Sequence, residues 1–218
     1  MRKKFDGYKK KKLKKQNLKG TNPSDAEINS LMEKFQNGQH ADAEKFAKSL
    51  TKGFPKYQFA WKVLGILFGQ TGRGSESLNA NQKAVTLSPQ DAEAHSNLGV
   101  TLQELGRLDE ALASYNQAVA LKPDYANAHY NLGVTLQELG RLDEALATYN
   151  QAIALKPDYA KSHNNLGVTL QELGRLDEAL ASYNQAIALK PDYAEAHSNL
   201  GNTLQELGRL DEALASYN

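Results

Sequence analysis

The sequence predicts an all-α fold: a right-handed superhelical solenoid of antiparallel helix pairs, built on a 34-residue repeat. Three observations predict it. The 218-residue chain is self-similar, with His95, His129, His163 and His197 spaced 34 apart; Gly99, Gly133, Gly167 and Gly201, and then Pro123, Pro157 and Pro191, keep the same interval. Helix formers (Ala, Leu, Gln, Glu, Lys) dominate, and there are only 6 Pro. Apolar residues recur at helical spacing, as in Leu98, Leu102 and Leu105 at i, i+4 and i+7.

The repeat divides the chain. Residues 1–22 are a basic leader, 23–91 hold two divergent units, 92–193 three near-identical units, and 194–218 a truncated sixth. Unit 126–159 differs from unit 92–125 at four positions. The frame runs back through Trp61, Leu64, Gly65, Gly72, Ala84 and Pro89, and more faintly through Gly38, Ala43, Pro55 and Tyr57. Divergence there fits an end that faces solvent rather than a neighbour.

Each unit resolves into two helices. The Leu98/Leu102/Leu105 stripe marks the first, and Gly106 interrupts it. Leu108, Ala111, Leu112, Tyr115, Ala118 and Val119 mark the second, and Pro123 ends it because a ring without an N–H cannot extend the ladder. Asp124 is expected to cap the next first helix. Asp109 and Glu110 suit the positive end of the second helix, and Ser24-Asp25-Ala26-Glu27 reads as a capping box. Small residues at Gly99 and Ala111 allow close helix approach, with Tyr115 and Leu98 filling the space between units. One pair cannot bury both faces, so stability must come from stacking.

The pattern resembles the tetratricopeptide repeat. Its Leu-Gly, apolar, Ala, aromatic, Ala and Pro positions appear as Leu98-Gly99, Leu102, Ala111, Tyr115, Ala118 and Pro123. Unit 58–91 supplies Trp61, Leu64-Gly65, Phe68, Ala84 and Pro89, but departs at Ser77 and Asn81. The resemblance implies a scaffold for protein partners.

Composition excludes several classes. There is no Cys, hence no disulfide, thiolate metal site or cysteine nucleophile. No apolar run approaches the roughly 20 residues of a membrane-spanning helix. Residues 1–20 carry net charge +9 and residues 21–218 net −8. The leader lacks the apolar stretch of a secretory signal, so a cytoplasmic location is expected. Charge repulsion predicts a disordered leader. It could attract RNA, anionic lipid or an acidic partner, but no base-reading element accompanies it, so nucleic acid is not expected as a partner.

Function is expected on the first-helix face, the concave side of such an array. Helical periodicity turns Glu93, Ser96, Asn97, Val100, Gln103 and Glu104 toward it. Differences between units cluster at three places on it: Glu93/Asn127/Lys161/Glu195, Ser96/Tyr130/Asn164/Ser198, and Val100/Val134/Val168/Asn202. Two readings follow: a fixed scaffold with a varied binding surface, or duplication with tolerated drift at exposed sites. Asn97, Asn131, Asn165 and Asn199 do not vary. Carboxamides both donate and accept, so a row of them can pair with an extended peptide backbone. This row is similar to the asparagine ladder of the repeat superhelix in O-linked N-acetylglucosamine transferases. The expected peptide site is therefore Asn97, Asn131, Asn165 and Asn199 for backbone contacts, with Glu93, Tyr130, Lys161, Asn164, Glu195 and Asn202 tuning side-chain preference. Only Lys161 could assist a grip on a C-terminal carboxylate, so that mode is not expected.

No catalytic centre, cofactor or metal is expected. Packed helices lie about 8–10 Å apart, too far for successive histidines to share a zinc. The Asp-Glu pairs repeat identically as helix starts. Gly69, Gly72 and Gly74 have the wrong spacing for a phosphate loop. Finally, the chain stops at Asn218 within a second helix, which predicts an uncovered apolar face. The alternatives are the recognition part of a larger transferase, or a self-assembling filament.

Overall fold

In the computed structural model, residues 22–216 are described; the lysine-rich leader lies outside them except for Asn22. The described residues form twelve α-helices and no strand. They are α1 (Asp25–Gln36), α2 (His40–Gly53), α3 (Gln58–Gln70), α4 (Gly74–Leu87), α5 (Ala92–Glu104), α6 (Leu108–Leu121), α7 (Ala126–Glu138), α8 (Leu142–Leu155), α9 (Ala160–Glu172), α10 (Leu176–Leu189), α11 (Ala194–Glu206) and α12 (Leu210–Ser216). This is an all-α repeat solenoid of helix pairs. The chain packs as two compact units, one ending at Thr101 and the other beginning at Leu102. In the first, α1 packs on α2, α2 on α3 and α3 on α4; in the second, each helix from α6 to α11 packs on its successor.

The punctuation has a physical cause at each break. Within a pair, the turn glycine sits at φ near +70°, for instance Gly140 at 70° and Gly174 at 71°, a region that only glycine enters freely. Between pairs, the residue before proline is driven out of helical geometry: Lys156 has φ −141° and ψ 85°, and Lys190 φ −141° and ψ 89°. Ser24 and Glu27 form the expected capping box on α1. The Asp124 cap does not form. Tyr125 is the N-cap of α7 and makes no side-chain cap bond; Asp124 lies one residue too early and is exposed. Asp91, which holds the frame position of Tyr125, does cap: its Oδ1 accepts from the N–H of Glu93 (2.9 Å) and Ala94 (3.2 Å).

The cores differ between the units. In the first, Leu31, Ala43, Ala47, Leu50, Phe54, Val63, Leu64, Leu67 and Phe68 are buried together, flanked by Phe35, Phe46 and Trp61. In the second, Ala, Leu and one fully buried tyrosine repeat: Tyr115, Tyr149 and Tyr183. A Cβ at Gly133 would fall 2.7 Å from the Tyr149 ring, and one at Gly167 2.5 Å from the Tyr183 ring. These glycines seat the tyrosine of their own hairpin, so Tyr149 and Tyr183 pack within the pair as well as toward the next. Two expectations change. Leu105 is exposed rather than part of the buried stripe, and Thr135, Thr169 and Thr203 are fully buried in the first helices. Each of these hydroxyls donates to the carbonyl four residues earlier, at 2.9–3.0 Å, which satisfies it without leaving the helix. At α12, Leu210 is 62% and Leu214 67% exposed.

Candidate peptide-binding face

Within residues 102–216 the face in question belongs to α7, α9 and α11, which approach one another in succession. The expected asparagine rungs are not equivalent. Asn131 is half-buried, and its side-chain amide makes no hydrogen bond to another described residue. Asn165 is committed: its Nδ2 donates to the hydroxyls of Tyr130 (3.3 Å) and Tyr149 (3.5 Å), and its Oδ1 accepts from Asn164 (3.2 Å). Asn199 donates to Asn164 Oδ1 at 3.1 Å. In the first unit the Asn97 side chain makes no hydrogen bond to a described residue, while its carbonyl accepts from Thr101 at 3.2 Å.

The varied positions separate into two groups. Asn164 is 0% exposed, so its expected place on the binding surface is corrected: it is an interior connector, donating to Glu195 (3.4 Å) while it links Asn199 to Asn165. Ser96 is likewise buried. That frame position turns toward the following pair, which a helical-period count on one isolated helix does not reveal. Its counterpart Lys62 makes the same reach in the first unit, with Nζ 2.8 Å from Glu93 and 3.0 Å from Asp91. Burial lowers the lysine's proton affinity, but bonds to Glu93 and Asp91 outweigh that and hold its pKa above the usual value. Burial raises Asp91, and bonds from Gln58 and Lys62 more than reverse it. Glu93 is therefore engaged in an ion pair. The second group is accessible: Lys161, Glu195 and Asn202 are exposed and Tyr130 is half-buried. The Tyr130 ring lies 5.0 Å from that of Tyr159 and 6.1 Å from that of Tyr149.

The tyrosine of each second helix and the glutamine and glutamate frame positions of the first helices, named separately from sequence, join into a relay that binds neighbouring pairs together. Gln137 Oε1 accepts from the Tyr149 hydroxyl at 3.1 Å, and its Nε2 donates to Glu172 of the next first helix at 3.1 Å. Gln103 links Tyr115 (3.3 Å) to Glu138 (2.8 Å), and Gln171 links Tyr183 (3.1 Å) to Glu206 (2.7 Å). Burial pushes all three tyrosine hydroxyls well above their usual pKa, so they remain donors. In the second unit one chain of donors runs from Asn199 through Asn164, Asn165, Tyr149 and Gln137 to the Glu172 carboxylate, polarised throughout in one direction. The signal for these relays was present: in unit 58–91 the tyrosine and the glutamine are replaced together, by Asn81 and Gly69.

The histidines are tied locally. Nε2 of His129, His163 and His197 lies 2.9–3.1 Å from the carbonyl of the proline six residues before, which braces the linker. Glu144 and Glu178 each take an arginine three residues earlier, at 2.6 Å. Among the described residues, no group of three or more His, Cys, Asp or Glu side chains could hold a metal ion. No described helix is long and apolar enough to cross a membrane.

The comparisons with known proteins agree with this architecture. The TPR repeat family matches residues 102–140, 136–174 and 170–208, and the tetratricopeptide repeat family matches residues 80–113. The chain is a member of the tetratricopeptide repeat family. No curated protein sequence matches it. Among solved structures, MamA is similar at 27% identity and TM-score 0.66, over 71% of this chain and 90% of that one. PilW, described as a widely conserved type IV pilus biogenesis factor, shares the fold at 20% identity and TM-score 0.81, over 89% and 91%. YrrB, described as a TPR protein with an unusual peptide-binding site, shares it at 23% identity and TM-score 0.67, over 80% and 90%.

Proposed function

We propose that this protein–protein interaction scaffold holds an extended segment of its partner on the first-helix face, without catalysis by the chain itself. The observation that carries the reading is the Asn131 amide, which sits half-buried on that face with both donors and its acceptor unspent. A carboxamide so placed can pair with a peptide N–H and C=O whatever the side chain. Asn97 offers the same group in the first unit; Asn165 and Asn199 support it from within the hydrogen-bond chain. Lys161, which makes no ion pair with a described residue, and the Tyr130 ring then set the side-chain preference, favouring an acidic residue or a flat apolar one at that point. Asn202 and Glu195 flank the face.

The test uses a random peptide library displayed on phage and selected on the purified chain. Affinity for the peptide that emerges is then measured by fluorescence polarisation. Asn131→Ala is expected to weaken it about ten-fold, the loss of one or two hydrogen bonds. Asn165→Ala should weaken it less. Unchanged affinity in Asn131→Ala overturns the assignment.

A further inference from the structure

The junction of α4 with α5 is built differently from the tyrosine-relay junctions of residues 102–216. Where α6, α8 and α10 carry Ala111 and Tyr115, Ala145 and Tyr149, and Ala179 and Tyr183, α4 carries Ser77 and Asn81. The glutamine that accepts the tyrosine hydroxyl elsewhere is Gly69 here, so the whole relay is missing at this point. A buried polar knot replaces it. Ser77 Oγ donates to the Gly65 carbonyl at 2.8 Å and lies 2.8 Å from Thr101 Oγ1. Asn81 Nδ2 donates to Thr101 Oγ1 at 2.9 Å, with longer contacts to Ser77 Oγ and the Asn97 carbonyl, both 3.4 Å.

Counting protons exposes the defect. The Ser77 and Thr101 hydroxyls are directed at the Gly65 and Asn97 carbonyls, and the two Asn81 N–H bonds are spent on the surrounding oxygens. Nothing is left to donate to Asn81 Oδ1. Among the described residues it is the one buried side-chain oxygen or nitrogen without a partner. Asn81 is 1% exposed, so bulk water does not reach it. A carboxamide oxygen buried without a donor loses its hydration uncompensated, and an asparagine buries far less apolar surface than the tyrosine it stands for. Gly65 nevertheless keeps the bare backbone that seats a ring at Gly133 and Gly167; a Cβ there would fall 2.1 Å from Asn81 Oδ1.

We propose that the junction of α4 with α5, through Ser77, Asn81 and Thr101, is a weak seam built into the array, the point at which the stack opens first. Local opening follows the least stable packing rather than sequence position alone. The alternative is fraying from the ends, and the two are separable. The junction of α10 with α11 lies nearer an end of the described residues yet has its complete tyrosine relay.

Hydrogen exchange read by mass spectrometry on the full chain decides it. Amides of 77–84 and 94–101 are expected to exchange about ten-fold faster than those of 179–186 and 196–203, after correction for intrinsic rates, as one unpaired buried acceptor implies. The triple change Gly69→Gln, Ser77→Ala, Asn81→Tyr, which restores the relay, should remove that difference. Asn81→Leu, which deletes the unpaired oxygen while keeping the same branched skeleton, should slow exchange in the same segments even if the triple variant does not fold. The reciprocal set Gln137→Gly, Ala145→Ser, Tyr149→Asn should move fast exchange to 145–152 and 162–169. Equal protection of all junctions in the unmodified chain, or no slowing in Asn81→Leu, overturns the proposal.

Discussion

Residues 22–101 and 102–216 follow one frame with two chemistries. In the second unit every pair is joined to the next by the same parts: a tyrosine seated on glycine, a glutamine accepting its hydroxyl, and a glutamate on the following first helix. In the first unit the joints are individual. Arg73 spans to Glu44 of the preceding pair (2.9 and 3.1 Å) and lies 4.1 Å from the Phe68 ring centroid; its frame counterparts Arg141 and Arg175 bond only within their own turn. Lys62, with its side chain 12% exposed, clamps Asp91 and Glu93. A solenoid needs only that each interface be satisfied with its neighbour. Identical joints and individually made joints therefore build the same fold, and what distinguishes the regions is where stability is concentrated.

The comparison is tested most strongly by truncating the frame-equivalent residues. Tyr183→Ala should cost about 4 kcal/mol, because it empties a fully buried ring site, whereas Asn81→Ala should cost about 1 kcal/mol or less, since it also removes an unpaired oxygen. Urea denaturation of both variants checks the ratio; equal losses would mean that the two joints carry equal weight. Next in size is Lys62→Met, expected to cost about 2 kcal/mol, since it leaves Asp91 and Glu93 without their cation but keeps the Gln58 bond and the cap.

That difference depends on pH in a set direction. Asp91 has a depressed folded pKa, so its share is present above the unfolded value near 3.9 and is lost as the pH falls through the lower folded value. Lys62 has a raised folded pKa, so its share is present below the unfolded value near 10.4 and is lost as the pH rises through the folded value. The gap between unmodified and Lys62→Met chains should thus be flat from about pH 5 to 9 and shrink toward acid. Smallest of all is Arg141→Ala. Its pair with Glu144 is fully exposed and local, so the melting temperature should not move.

The fold was legible because a 34-residue period, a glycine turn and a proline break each have a single geometric meaning. Helix ends at Lys156 and Lys190 follow from the proline after them. The Asp124 cap was misplaced because composition marks a turn but not which of its residues reaches the free N–H groups. The candidate face was legible as a set of frame positions, Asn131 and Lys161 among them. Its division into engaged and accessible residues was not. Asn164 and Lys62 sit at an angle that reaches the next pair, and only the spacing between pairs decides whether a side chain there meets water or a neighbour. Buried Thr135 and the Tyr149–Gln137–Glu172 relay escaped for a related reason: their polarity reads as surface until the partner that satisfies each one is in view.

If the chain grips its partner as proposed, the first helices of residues 102–216 form the surface that meets it. Backbone amide chemical-shift mapping with the phage-selected peptide measures this directly. Shifts confined to α7, α9 and α11, strongest around Asn131 and Lys161, are predicted; shifts centred on α8, α10 and α12 would contradict it.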